Sequence, residues 1–481
     1  MRTLISRILP ILAGALLALL GLPAAPAMAA VSCNFALGLL TVTITGDNVA
    51  ASIARNGVNY EVNGGACPGG PTTANTTRID VFDDSVAGDN RLDIDLSGGP
   101  FIGPDGEILW DVRMGNGTDD IFVLAGGAPA FVTLGDAGIN LHGKGLFGDL
   151  DADVLYSGVE EFLVNGDFVN DFSDQFLAGG GEGTGGPLPF PVLLQPGGGN
   201  DRLQGGLGED TLFGGDGDDI ALGSPGADSH LGVERLEYRD SPAGVAVFLS
   251  GTTAFSGGDA EGDRAIGAVE VVGSSFDDVL IGNGANNEIE GRGGNDLIAG
   301  KAGADELDGG PGLNTLDYST STGAVTVDLP NCTATGGDAT GDDLGGSPCD
   351  FVNVIGSNNP AGDTLIGDDR DNVLDGKNGP DTITGGDGED TIYGRDGADV
   401  LKGGGKDDWI DGGRGADNIA GGNGNDTIIG GLGKDNLKGN AGNDTLFARD
   451  QEKDTVNGGD NFDSAQVDGL DVRISIEATI A

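Results

Sequence analysis

From Gly376 to Phe447 the sequence repeats every nine residues without a slip, and this period constrains the fold more than any other feature. The lines run Gly376-Lys-Asn-Gly-Pro-Asp-Thr-Ile-Thr, then Gly385-Gly-Asp-Gly-Glu-Asp-Thr-Ile-Tyr, and onward. The sixth position holds Asp381, Asp390, Asp399, Asp408, Asp417, Asp426, Asp435 and Asp444. The eighth holds Ile383, Ile392, Leu401, Ile410, Ile419, Ile428, Leu437 and Leu446. Two shorter blocks keep the same phase. One carries Asp201, Asp210, Asp219 and Asp228; the other carries Asp278, Asn287, Asp296, Asp305 and Asn314.

The first six residues of each unit are mostly Gly, Asp and Asn, which tolerate turns with positive φ. Three residues follow with an apolar one at the centre, enough for a minimal strand whose middle side chain points to one face. Two units therefore make one coil, and coils stack at the strand spacing of about 4.8 Å. The Ile and Leu row becomes a narrow spine, in which each buried side chain contributes roughly 1.5–3 kcal/mol. Ordering each residue's backbone costs about 1–2 kcal/mol, so apolar burial alone is not expected to hold the repeat. Stacking also places sixth-position carboxylates about 5 Å apart. At an effective dielectric of about 20 they repel by roughly 3 kcal/mol, and a divalent cation between turns reverses the sign. Ca²⁺ accepts six to eight oxygens in flexible geometry, whereas Mg²⁺ demands a tighter octahedron. Metal binding and folding are then expected to be one event.

These Gly-Gly-x-Gly-x-Asp-x-(Leu/Ile)-x lines resemble the repeats-in-toxin (RTX) calcium-binding nonapeptides. The resemblance covers Gly197 to Asp228, Gly273 to Asp317 and Gly367 to Phe447. It implies an all-β fold: a right-handed parallel β-roll, or β-solenoid, with several Ca²⁺ ions between turns on the same side. The implied ligands are Asp201, Asp210, Asp219, Asp228, Asp278, Asp296, Asp305, Asp381, Asp390, Asp399, Asp408, Asp417, Asp426, Asp435 and Asp444, with turn carbonyls. Asn at a sixth position is a weaker ligand.

The chain has 481 residues and divides, on this reading, into a signal peptide (1–29), an irregular β-rich N-terminal domain (30–196), three RTX blocks (197–235, 273–315, 356–459), two connectors (236–272, 316–355) and a C-terminal cap (460–481). In the N-terminal domain Leu40 to Thr45, Val58 to Val62, Arg78 to Phe82 and Arg91 to Leu96 alternate as half-buried strands do. Gly115 to Val123 and Gly148 to Tyr156 look like worn nonapeptides, and Gly179 to Gly199 reads as a linker. The connectors are copies of each other. Leu236-Glu-Tyr leads through Gly257-Gly-Asp-Ala-Glu-Gly-Asp to Val272-Gly-Ser, and Leu316-Asp-Tyr through Gly336-Gly-Asp-Ala-Thr-Gly-Asp to Ile355-Gly-Ser. Each has a strand-like stretch, Val245 to Leu249 and Val325 to Leu329.

Arg2 and Arg7, the apolar run Ile8 to Leu22 and Ala27-Met28-Ala29 read as a secretory signal peptide, so the mature chain is expected outside the cell with no membrane span. Acids outnumber bases 77 to 24, for a net charge of −53. That surplus repels nucleic acid and anionic membranes and recruits cations. Four cysteines fall in two close pairs, Cys33/Cys67 and Cys332/Cys349, and local pairing is the simplest of three connectivities. No His-Glu-x-x-His or Gly-x-Ser-x-Gly is present, and the two histidines, His142 and His230, are far apart in sequence. The expectation is a secreted, non-catalytic calcium-binding protein with a structural or adhesive role and an unnamed cell-surface or matrix partner. The rival reading is an extracellular hydrolase that carries the repeats as an accessory domain.

Overall fold

The computed structural model describes residues 191–480 except 252, 346 and 347 and, upstream of these, backbone strands between residues 30 and 177. The signal-peptide segment and Cys67 lie outside the described residues. The chain forms two units, one of residues 1–123 and 153–161, the other of residues 124–152 and 162–481.

In the first unit Ala30–Ala36 pairs antiparallel with Leu39–Thr45. Parallel strands Arg78–Asp83, Leu109–Arg113 and Val154–Ser157 follow on from it. A second group pairs Ala50–Asn56 antiparallel with Asn59–Val62 and parallel with Arg91–Asp95. The described parts of the alternating stretches read from the sequence are thus strands. So are parts of both worn nonapeptides, Asp120–Leu124 and Val154–Ser157. Cys33, on the first strand, is disulfide-bonded.

The second unit is a β-solenoid of parallel strands. In its most regular part Thr382–Gly386, Val400–Gly405, Asn418–Asn423 and Asn436–Ala441 stack in one ladder. Thr391–Asp396, Trp409–Arg414, Thr427–Ile429 and Thr445–Ala448 stack in another. Paired residues are 18 apart, as Ile383 with Leu401 and Ile392 with Ile410. Two repeats therefore close one coil, and odd and even repeats supply opposite ladders. Several strands run to five or six residues, because glycines of the next turn also pair, Gly386 with Gly404 and Gly404 with Gly422. The eighth-position residues from Ile383 to Leu446 are all fully buried and form the spine between the ladders.

Upstream, the Arg202–Gln204, Ile220–Leu222, Arg235–Glu237, Glu270–Val272, Glu288–Glu290 and Glu306–Asp308 strands form one ladder. Val192–Gly198, the end of the expected linker, is a strand that pairs with Thr211–Phe213. Each connector ends one ladder and starts another. The ladder through Ser229–Leu231 ends at Arg264–Ile266, and a new one starts at Ala246–Phe248. The ladder ending at Glu306–Asp308 gives way to one that starts with Thr326–Asp328, paired antiparallel to Thr333–Thr335. Each connector also holds a single 3-10 turn, Gly258–Ala260 and Gly337–Ala339. Among the described residues the largest fully buried side chains are here: Tyr238, Phe255, Tyr318 and Phe351. Cys332 and Cys349 form a disulfide with Cα atoms 5.1 Å apart, which staples the loop that only the second connector carries. Among the described residues no helix is long and apolar enough to cross a membrane.

Candidate metal centre

The repeat builds its site from glycine outward. At the fourth position a side chain would collide with the coil below: a Cβ on Gly415 would overlap the Gly397 carbonyl, and φ there is 143°. At the first position a Cβ would fill a small oxygen-lined cradle. An ideal Cβ on Gly394 would lie 2.5 Å from both Asp399 Oδ2 and the Gly412 carbonyl oxygen. On Gly412 it would lie 2.6 Å from Asp417 Oδ2 and 2.5 Å from the Gly430 oxygen. Glycine here leaves a space that a carboxylate and a main-chain carbonyl both face.

The sixth-position aspartates are buried rather than displayed. The Asp381 N–H donates to Asp399 Oδ1, Asp399 N–H to Asp417 Oδ1, and Asp417 N–H to Asp435 Oδ1, at 2.8–2.9 Å. On the other side Asp390, Asp408 and Asp426 donate to Asp408, Asp426 and Asp444 in the same way, each at 2.9 Å. One oxygen of each carboxylate thus ties its coil to the one before. The second oxygen is buried and, among the described residues, meets no hydrogen-bond donor at Asp219, Asp296, Asp305, Asp381, Asp390, Asp399, Asp408, Asp417, Asp426, Asp435 and Asp444. Such an atom costs about 1–3 kcal/mol or more when left without a partner. Burial pushes Asp390, Asp399, Asp417, Asp426, Asp435 and Asp444 up to about 6, Asp408 to about 7 and Asp381 to about 8, against the opposing pull of the backbone N–H. The donor set is oxygen only, carboxylate plus carbonyl, which fits Ca²⁺ and not a thiophilic or imidazole-seeking metal.

Three of the expected ligands differ from this pattern. Asp210 Oδ2 accepts from the Gly206 N–H, Asp228 Oδ2 from the Ser224 hydroxyl at 2.8 Å, and Asp278 from both the N–H and hydroxyl of Ser274. These three turns hold their carboxylates with protein donors, whereas the Asp201 N–H donates to Asp219 Oδ1 at 2.9 Å as in the regular rows. Asparagine positions also satisfy themselves: the Asn287 amide donates to the Val269 carbonyl and the Asn314 amide to that of Gly310.

The rows extend beyond the strict period. Asp363, Asp454 and Asp463 are buried sixth-position equivalents, and Asp454 and Asp463 also have a bare Oδ2. Asp263 and Asp342 continue the rows through the connectors, accepting from the Asp228 and Asp305 N–H groups. A nine-residue frame carried back from Asp381 reaches Asp363, 18 residues earlier, but misses the other four, because turn lengths change there. The surviving signal is an aspartate two residues before a buried apolar side chain: Asp263 and Ala265, Asp342 and Leu344, Asp363 and Leu365, Asp454 and Val456, Asp463 and Ala465. Asp471 and Glu477 close the two rows at the C-terminal end, accepting from Asp454 and Asp463.

An 18-residue parallel coil, glycine cradles and two rows of half-bonded buried carboxylates define a β-roll whose turns offer oxygen sites for cations. The family model for the RTX calcium-binding nonapeptide repeat (4 copies) matches residues 196–229, 272–307, 290–318, 366–401, 393–428, 421–452 and 429–465. The chain thus carries RTX calcium-binding nonapeptide repeats in these segments. No curated protein matches it.

Proposed function

We propose that this chain is a secreted, non-catalytic structural or surface protein whose roll is ordered outside the cell by several Ca²⁺ ions. The row of buried, donor-less Oδ2 atoms supports this reading. A fold that buries so many half-bonded carboxylates is incomplete without a cation, and bound Ca²⁺ supplies the positive charge. The chain's own contribution is to orient. Each N–H fixes Oδ1 of the carboxylate one coil on, so that Oδ2 faces the first-position cradle. The N-terminal sequence supports export, and the charge of −53 disfavours collapse where calcium is scarce. Circular dichroism across a calcium titration tests the coupling. The expected outcome is a gain of β signal between chelator and millimolar Ca²⁺; an unchanged spectrum would remove the proposal.

A further inference from the structure

His230 stands where the repeat calls for an aliphatic residue. In the ladder it lies between Leu212 and Ala265, with its side chain 1% exposed. Its Nε2 faces Asp263 Oδ2 at 3.5 Å, the weak limit of a hydrogen bond, and its Nδ1 has no partner among the described residues. Burying an imidazole on these terms is unfavourable. Asp228 and Asp263, both buried, offer oxygens such that one ligand atom from each of the three residues lies within 4.8 Å of the others. Among the described residues no Lys or Arg forms an ion pair with either carboxylate.

The duplicated connector supplies an internal comparison. In the second copy Asp305, Asp342 and Tyr318 take the places of Asp228, Asp263 and Tyr238. The Tyr318 hydroxyl donates to Asp342 Oδ2 at 2.8 Å, as that of Tyr238 does to Asp263 Oδ2 at 2.9 Å. The residue in the place of His230 is Leu307, fully buried. One copy therefore works with leucine, and the fold itself does not require the histidine.

We infer that Asp228, His230 and Asp263 form a buried site for a zinc-class divalent ion, chemically distinct from the oxygen-only turns. One imidazole and two carboxylates suit Zn²⁺ or Co²⁺, which favour nitrogen in a four-coordinate site, and leave one position for a further ligand. The carboxylates are already held in place. Asp263 accepts from the Tyr238 hydroxyl and the Asp228 N–H, and Asp228 accepts from the Ser224 hydroxyl and the Asp210 N–H. Such outer contacts orient ligands in metal sites. Because the site is buried, loading accompanies folding.

The full chain is refolded in millimolar Ca²⁺ with Co²⁺ or Zn²⁺, and bound metal is counted after dialysis. The wild type is expected to retain one Co²⁺ with visible d–d absorption. His230→Leu, which copies Leu307, is expected to fold with the same circular dichroism while zinc affinity falls by more than about 100-fold. His142→Gln, which changes the only other histidine, is expected to keep the site. Equal metal content in wild type and His230→Leu, or loss of the metal in His142→Gln, would overturn the inference. The calcium-induced β signal is read separately, so failure here leaves the calcium reading standing.

Discussion

At the scale of the residue, the difference between aspartate and asparagine at the sixth position decides what a turn needs. Both can accept the N–H of the preceding coil, as Asp399 and Asn314 do at 2.8 and 3.0 Å. Asparagine then offers an amide to backbone carbonyls: that of Asn314 reaches the Gly310 oxygen at 2.8 Å and the Asp350 oxygen at 3.2 Å. Aspartate presents a second oxygen, which repels those carbonyls until a cation lies between them. Asp408→Asn is therefore expected to act in opposite directions in the two states. Without calcium, an amide near the Gly421 carbonyl replaces a bare buried oxygen and stabilises the roll by about 1–3 kcal/mol in urea unfolding. With calcium, equilibrium dialysis should show fewer ions bound. A variant that kept full stoichiometry would remove Asp408 from the ligand set.

At the scale of the element, the two-repeat coil was legible in the sequence because its geometry is written in two columns, the sixth and the eighth. Parallel pairing at 18 residues, the buried spine and the two carboxylate rows follow from those columns. The sequence did not disclose which oxygens remain bare. Ser224 and Ser274 look like ordinary turn residues, yet their hydroxyls complete Asp228 and Asp278. Nor did it place Asp263 and Asp342 in the rows, because the connectors break the period. The titration of the coil follows from the same geometry. Desolvation raises the carboxylates of the apo coil from an ordinary 3.8 to between about 6 and about 8, as at Asp399 and Asp381. A raised folded-state value means that the folded apo form binds more protons than the unfolded chain. Its contribution to stability is fully present below about 3.8 and is lost as pH rises through about 6 to 8. In chelator, β signal is thus expected to be greater at pH 5 than at pH 8. Protons and calcium compete for the same oxygens, so the calcium midpoint should move to higher concentration as pH falls from 8 to 5. A midpoint independent of pH would contradict the burial of these groups in the apo coil.

At the scale of the molecule, the second unit alternates coils with bare carboxylate oxygens and coils that complete themselves. From Asp381 to Asp444 every sixth-position carboxylate has a bare Oδ2, and the spine offers one aliphatic side chain per repeat. In the connectors, tyrosine hydroxyls occupy the equivalent oxygen at Asp263 and Asp342. Phe255, Phe351 and the two tyrosine rings add apolar burial that the nonapeptides lack, and Cys332–Cys349 restrains the second connector. Connectors also start the new ladders, so they are templates on which the following coils can stack. Removing calcium should therefore not melt the solenoid evenly, because repeat arrays open where local and neighbour terms are weakest. Hydrogen exchange in chelator is expected to show early loss of protection across 376–447, while 235–272 and 314–355 keep slowly exchanging amides. On adding calcium, protection should spread outward from the second connector into 364–405 before it reaches 436–460. Uniform loss and uniform recovery would mean that the connectors depend on the ion as much as the nonapeptides do. The tyrosine–aspartate pairs would then be packing features without a role in holding the chain between its calcium-free and calcium-bound states.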